Sequence, residues 1–149
     1  MASADVLAQT LQCADISGQA EVQNVRFDQD VMPILELDEL NCTTCHGSAA
    51  GLSIDQGNAS HGNLYCQDTQ GTSPLDPGKL VVPGAPMESW LYLRVACDDL
   101  DDQSFRMPRF SDTTLFTSEL RIIYDWIAQG APSADTIFTS RFDERGYCS

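Results

Sequence analysis

The sequence predicts an all-α domain: three or more helices joined by long loops. Three observations carry that expectation. Apolar residues recur at helical spacing in three separate stretches. No pair of segments alternates apolar and polar residues as paired strands do. The chain has 149 residues, enough for one domain with a modest core and little more.

Residues 1–26 are polar and weakly patterned, and read as an N-terminal arm, or a short helix, lying on the domain and holding Cys13. A first helix starts near Phe27. Val31, Ile34 and Leu35 share one face, and the helix is expected to run toward Leu40 and Cys42. Asp28 or Asp30 can cap it, because a carboxylate accepts the free first-turn amides. Pro33 is tolerated only in the first turn, where its missing donor costs nothing. From Gly47 to Pro77 the chain is rich in Gly, Ser, Asn, Asp and Gln and reads as a long loop. Val81 to Pro86 is extended and turn-like. Pro86 opens a second helix from Met87 to about Val95, with Leu91 and Val95 four apart and Trp90 alongside. Asp98 to Gln103 is acidic and irregular. Thr117 and Ser118 precede a third helix, Glu119 to Gln129, whose Leu120, Ile123, Tyr124 and Ile127 form one apolar stripe; Gly130 stands at the stop position. The organisation expected is an arm over 1–26, a domain over 27–131, bounds that rest on the resemblance given below, and a tail over 132–149 ending near Cys148.

Acidic residues outnumber basic ones 22 to 8, for a formal net charge of -14. Phosphate recognition needs clustered Lys and Arg, so nucleic acid and anionic membrane surfaces are poor partners. No run approaches the roughly 18 apolar residues of a membrane span. Met1-Ala-Ser-Ala-Asp lacks the basic and apolar regions of a secretory signal. Either the chain is cytosolic, or it is a mature or excised domain with an added start methionine. Six cysteines favour the second reading.

One motif dominates the chemistry: Cys42-Thr43-Thr44-Cys45-His46. C-x-x-C-H is the attachment signature of c-type haem. Residues three apart share a helical face, so both thiols reach the two vinyl groups, and the next imidazole reaches the iron. A thioredoxin-like site needs a strand before the motif, and a zinc site needs a second ligand pair; the sequence offers neither. A low-spin iron also needs a sixth ligand. Met107, in Arg106-Met107-Pro108-Arg109-Phe110, is a thioether in an irregular segment steadied by proline. Its rivals are Met87, which reads as packing, Met32, and His61, which reads as a solvent-facing residue of the polar loop.

The chain resembles the monohaem c-type cytochrome domains of class I. The residues that carry the likeness are Phe27-x-x-x-Val31-x-Pro33-Ile34-Leu35, Cys42-x-x-Cys45-His46-Gly47, Gly51-Leu52, Val82-Pro83-Gly84-x-Pro86-x-x-Ser89-x-Leu91-Tyr92-x-Arg94-Val95, Met107-Pro108 and Trp126-Ile127-x-x-Gly130-Ala131. It is most similar to versions found as modules of secreted or periplasmic multidomain bacterial proteins. The resemblance implies a cytochrome c-like fold around one covalent haem c. Cys42 and Cys45 would then be the thioether anchors, His46 the proximal and Met107 the distal iron ligand. Cys66 and Cys97 depart from the common pattern.

The export that haem attachment requires implies an oxidising periplasmic or extracellular compartment, which permits disulfides among the remaining Cys13, Cys66, Cys97 and Cys148. Four cysteines allow three pairings. The expected one joins Cys66 to Cys97, pinning the loop, and Cys13 to Cys148, tying the tails. Arg94, Arg106 and Arg109 are candidates for the haem propionates, since charge-assisted bonds favour Arg there; neutralising nearby acids is the equal alternative. The Asp98 to Asp102 run lacks calcium-loop spacing and reads as a solvated face.

The function expected is single-electron transfer, with both axial positions filled by protein and no enzymatic step. The acidic surface would steer a redox partner with a basic docking region. The chain would be a monomer or a module of a larger protein. One alternative is a peroxidase-like haem enzyme in which Met107 is displaceable. Another is an electron-delivery module for a secreted polysaccharide-degrading oxidoreductase, which rests on family analogy alone.

Overall fold

The protein is described here from a computed structural model. The structure describes residues 12–37, 42, 54, 58–70, 73–98, 100, 106–108, 114–133 and 148. Two short strands come from opposite halves of the chain: β1, Gln12–Cys13, and β2, Cys97–Asp98. They pair antiparallel with Gln12 opposite Asp98 and Cys13 opposite Cys97. The α-helices among the described residues are α1, Met32–Leu35, α2, Asn58–Leu64, α3, Trp90–Ala96, and α4, Thr117–Ala128. A π-helical turn, Phe27–Val31, leads into α1, and a 3-10 turn, Pro86–Glu88, precedes α3.

The fold is therefore mixed, not all-α: short helices accompany a small antiparallel sheet. Two isolated bridges add to it, Tyr65 with Val81 and Asp68 with Lys79. A two-residue strand is too short to show period-2 alternation, so the sequence carries no signal for it. What joins β1 to β2 is a disulfide and three consecutive backbone pairings, the last being the Ala14 amide donating to the Ala96 carbonyl at 2.8 Å.

The expected first helix is broken into two geometries. The Val31 amide reaches back five residues to the Arg26 carbonyl at 3.3 Å, which is the π pattern. Pro33 then falls in the first turn of α1, where no donor is missed. Neither Asp28 nor Asp30 caps in the usual way. Asp30 accepts the Arg26 amide at 2.7 Å, and Asp28 accepts from Arg26 Nε at 3.3 Å. The continuation toward Leu40 lies outside the described residues. The supposed long loop after Gly47 contains α2. Polar composition hid it: among its described side chains, Leu64 is fully buried and His61 half-buried.

The second helix also starts later than expected. Ser89 is fully buried and extended; its hydroxyl accepts the Val82 amide at 2.8 Å and donates to the Ala85 carbonyl at 2.9 Å. Those bonds close the Val82 to Ser89 loop and split the 3-10 turn from α3. Gly84 has φ +87°, and its amide donates to the Ile127 carbonyl at 2.7 Å, so the loop docks on α4 through a left-handed residue that favours glycine.

The core gathers Val25, Phe27, Val31, Leu35, Leu64, Val81, Leu120, Ile123, Trp126 and Ile127, each at most 1% exposed. All seven residues of α3 are buried. Helix α4 packs against the π turn, the 3-10 turn and α3. Phe27 and Trp126 meet with ring centroids 5.1 Å apart. Burying side chains of this size contributes about 1.5–3 kcal/mol each. Helix α4 begins at Thr117, two residues before the expected start, with the Glu119 carboxylate accepting the Phe116 amide at 2.7 Å.

Candidate functional site

Cys13, Cys66, Cys97 and Cys148 form two disulfides, and their pairing differs from the expected one. Cys13 bonds to Cys97, and Cys66 bonds to Cys148. The pairing expected from the sequence, Cys66 to Cys97 and Cys13 to Cys148, does not form. Strand pairing accounts for the difference: Cys97 follows α3 in β2, directly opposite Cys13 of β1, so the arm brings Cys13 to it. Cys66 follows α2 in the left-handed region, φ +57°, with its amide bonded to the Val81 carbonyl at 3.0 Å, and there it meets the tail.

Of the motif residues, Cys42 is half-buried and packs against the core. Cys45 and His46 lie outside the described residues, as do Arg109, Asp99, Asp101 and Asp102. Met107 is half-buried and packs against the same core as Cys42. Its amide donates to the Arg94 carbonyl at 2.6 Å, and its bond to Pro108 is cis. Arg94 is only 8% exposed, with its guanidinium 5.6 Å from the centre of the Trp90 ring.

Arg106 is engaged by Asp98. Its Nε donates to Oδ1 at 3.2 Å, its Nη2 to Oδ2 at 2.8 Å, and its backbone amide to Oδ1 at 3.2 Å. The Arg106 hydrogen bonds hold the Asp98 carboxyl below the usual carboxylate range. The sequence places Asp98 in a solvated acidic run, but it is engaged by Arg106, a partner eight residues away that has no sequence signature.

His61 is not the solvent-facing residue that its polar neighbours suggested. Its ring stacks on Tyr65 at 5.1 Å and meets Phe27 and Trp126 edge-on at 5.3 and 5.9 Å. Nε2 lies 2.7 Å from the Ala131 carbonyl, which can only accept, so this nitrogen carries a proton. Desolvation pushes its pKa down, opposed in part by that hydrogen bond. Of the other rivals to Met107, Met32 is a core residue at 2% exposure and Met87 is 45% exposed. Among the described residues, no three His, Cys, Asp or Glu side chains gather as a metal-binding group. No helix is long and apolar enough to cross a membrane among those residues.

Comparison with protein-family models, curated proteins and solved structures finds no match to this chain.

Proposed function

We propose that this protein is a monohaem c-type electron carrier, and the single observation that carries the reading is the run Cys42-Thr43-Thr44-Cys45-His46. The donor set suits the group: two thiols at thioether spacing, one imidazole and one thioether. Two observations of the fold support the fit. Cys42 and Met107 are both half-buried on one apolar core, which is the environment a large flat ring with a polar edge needs. Two disulfides are compatible with the oxidising compartment in which such attachment occurs.

In this reading Cys42 and Cys45 would hold the group covalently, and His46 and Met107 would supply its iron ligands. The bound haem supplies a one-electron couple, with Met/His ligation raising its potential. The chain's own part is to hold the two ligands in place and to exclude water with the core around Trp126, Leu64 and Val81. A group held by two protein ligands would pass single electrons rather than turn over a substrate. The donor and acceptor are redox proteins with a basic docking region. A larger secreted redox protein containing this module is a compatible setting.

The test is produced in a host with haem-attachment machinery. Intact mass is expected to exceed that of the chain by one haem, and acid-acetone is expected to leave the pigment on the protein. A colourless protein overturns the reading. Met107→Ala is expected to abolish the weak near-infrared sulfur-to-iron band of the oxidised protein and to open the iron to cyanide.

A further inference from the structure

We propose that Asp98 is a positioning residue for the Met107 thioether. The inference rests on the reading of Met107 as an axial ligand, and adds a device for keeping it there.

The segment around Met107 is bonded on two sides. On one side the Met107 amide donates to the Arg94 carbonyl at 2.6 Å, within α3. On the other, Arg106 gives three hydrogen bonds to the Asp98 carboxylate, two from the guanidinium and one from the backbone. Asp98 is itself fixed. It ends β2, opposite Gln12, and follows Cys97, which is fully buried and disulfide-bonded to Cys13. The two supports are continuous in the chain, because β2 starts where α3 ends. A carboxylate that takes a backbone amide together with the guanidinium fixes both the path of the chain and the side chain beside the methionine. Such charge-assisted bonds are roughly twice as strong as neutral ones.

A tether of this kind matters for a thioether more than for most ligands. The sulfur is neutral and a weak donor, so its bond to iron depends on the loop that presents it. Loosening the loop raises the fraction of molecules with an open axial position. The apparent affinity for an added ligand rises in proportion to that fraction. The remaining Arg94 bond holds the backbone of Met107, one residue beyond the Arg106 amide that Asp98 accepts.

The experiment compares haem-loaded wild type with Asp98→Asn, Arg106→Gln, their double variant, and Asp68→Asn as a control. Asp68 pairs with Lys79 at 2.6 Å elsewhere on the surface. Four quantities are read: the near-infrared sulfur band, the reduction potential, the cyanide affinity of the oxidised protein, and the exchange rate of the Met107 amide. Asp98→Asn and Arg106→Gln are each expected to weaken the band, lower the potential, raise cyanide affinity about tenfold and speed exchange. The double variant is expected to go no further than the stronger single one, and Asp68→Asn to match wild type. Circular dichroism establishes that each variant is folded. If Asp98→Asn keeps the wild-type band, potential and cyanide affinity, the proposal is wrong and the ligand reading stands. A wild-type protein that lacks the band removes the ligand reading, and the proposal with it.

Discussion

His61 and Asp98 are residues whose surroundings in sequence say one thing and whose contacts say another. His61 sits in Ser60-His61-Gly62, a polar stretch, yet its imidazole closes a cluster with Phe27, Tyr65 and Trp126. Its folded-state pKa is depressed, so the neutral ring is what the fold favours. Protonation is therefore linked to unfolding. The contribution of His61 is present above its ordinary value of 6.5 and is lost as pH falls through the lower folded-state value. Urea midpoints measured across this range should fall for wild type as the medium turns acid. His61→Gln should remove that component of the slope while lowering stability at neutral pH. An unchanged slope in the variant would assign the acid sensitivity to carboxylates instead.

At the scale of elements, α4 is the post to which the arm is tied. The Val22 amide donates to Asp125 Oδ2 at 2.8 Å, Gln129 Nε2 donates to the Val22 carbonyl at 2.6 Å, and the Val25 amide donates to Gln129 Oε1 at 3.0 Å. Asp125 is 3% exposed and also takes a bidentate ion pair from Arg121, one turn earlier on the same helix. Asp125→Ala strands the Arg121 guanidinium and the Val22 amide together. Breaking one side of a buried pair costs about 3 kcal/mol or more, so an unfolding free energy from urea titration lowered by that amount is expected. Asp125→Asn keeps an acceptor for Val22 and should lose less. Equal losses for the two would show that the arm bond, not the charge, is immaterial. The exit of α4 is secured in a second way: the Trp126 indole donates to the Pro132 carbonyl at 3.0 Å, and the His61 ring to Ala131. Both act on a turn in which Gly130 and Ala131 have positive φ, 102° and 50°.

For the molecule as a whole, charge is the property that bears on the proposed encounter with a redox partner. A net charge of -14 on 149 residues creates a long-range field that would steer a cationic partner. Salt screens that field over about 8 Å at physiological ionic strength. The bimolecular rate with a basic redox protein, followed by stopped flow, is expected to fall steeply with added salt. The rate with a small neutral reagent should not. Within the Asp98 to Asp102 run, Asp98 is compensated by Arg106, so the steering charge is expected from Asp99, Asp101 and Asp102. Replacing those three by Asn should flatten the salt dependence. A slope unaltered by the three substitutions would move the docking face elsewhere.

What the sequence by itself determined is what is local. The C-x-x-C-H spacing, the charge balance, the apolar stripe of α4 and the proline in the first turn of α1 depend on residues within a few positions of one another. Their physical content is a period or a reach along one segment. The Val82 to Ser89 block was visible as a pattern, but the reason for it was not. Only the folded chain shows the Ser89 hydroxyl closing the loop and Gly84 turning it onto α4. The tertiary structure alone decided the small sheet, the disulfide partners, the burial of His61 and the hold of Asp98 on Arg106. The bonded cysteines are 84 and 82 residues apart in sequence. At such separations a contact is set by which surfaces the core leaves facing each other, and no spacing along the chain encodes that.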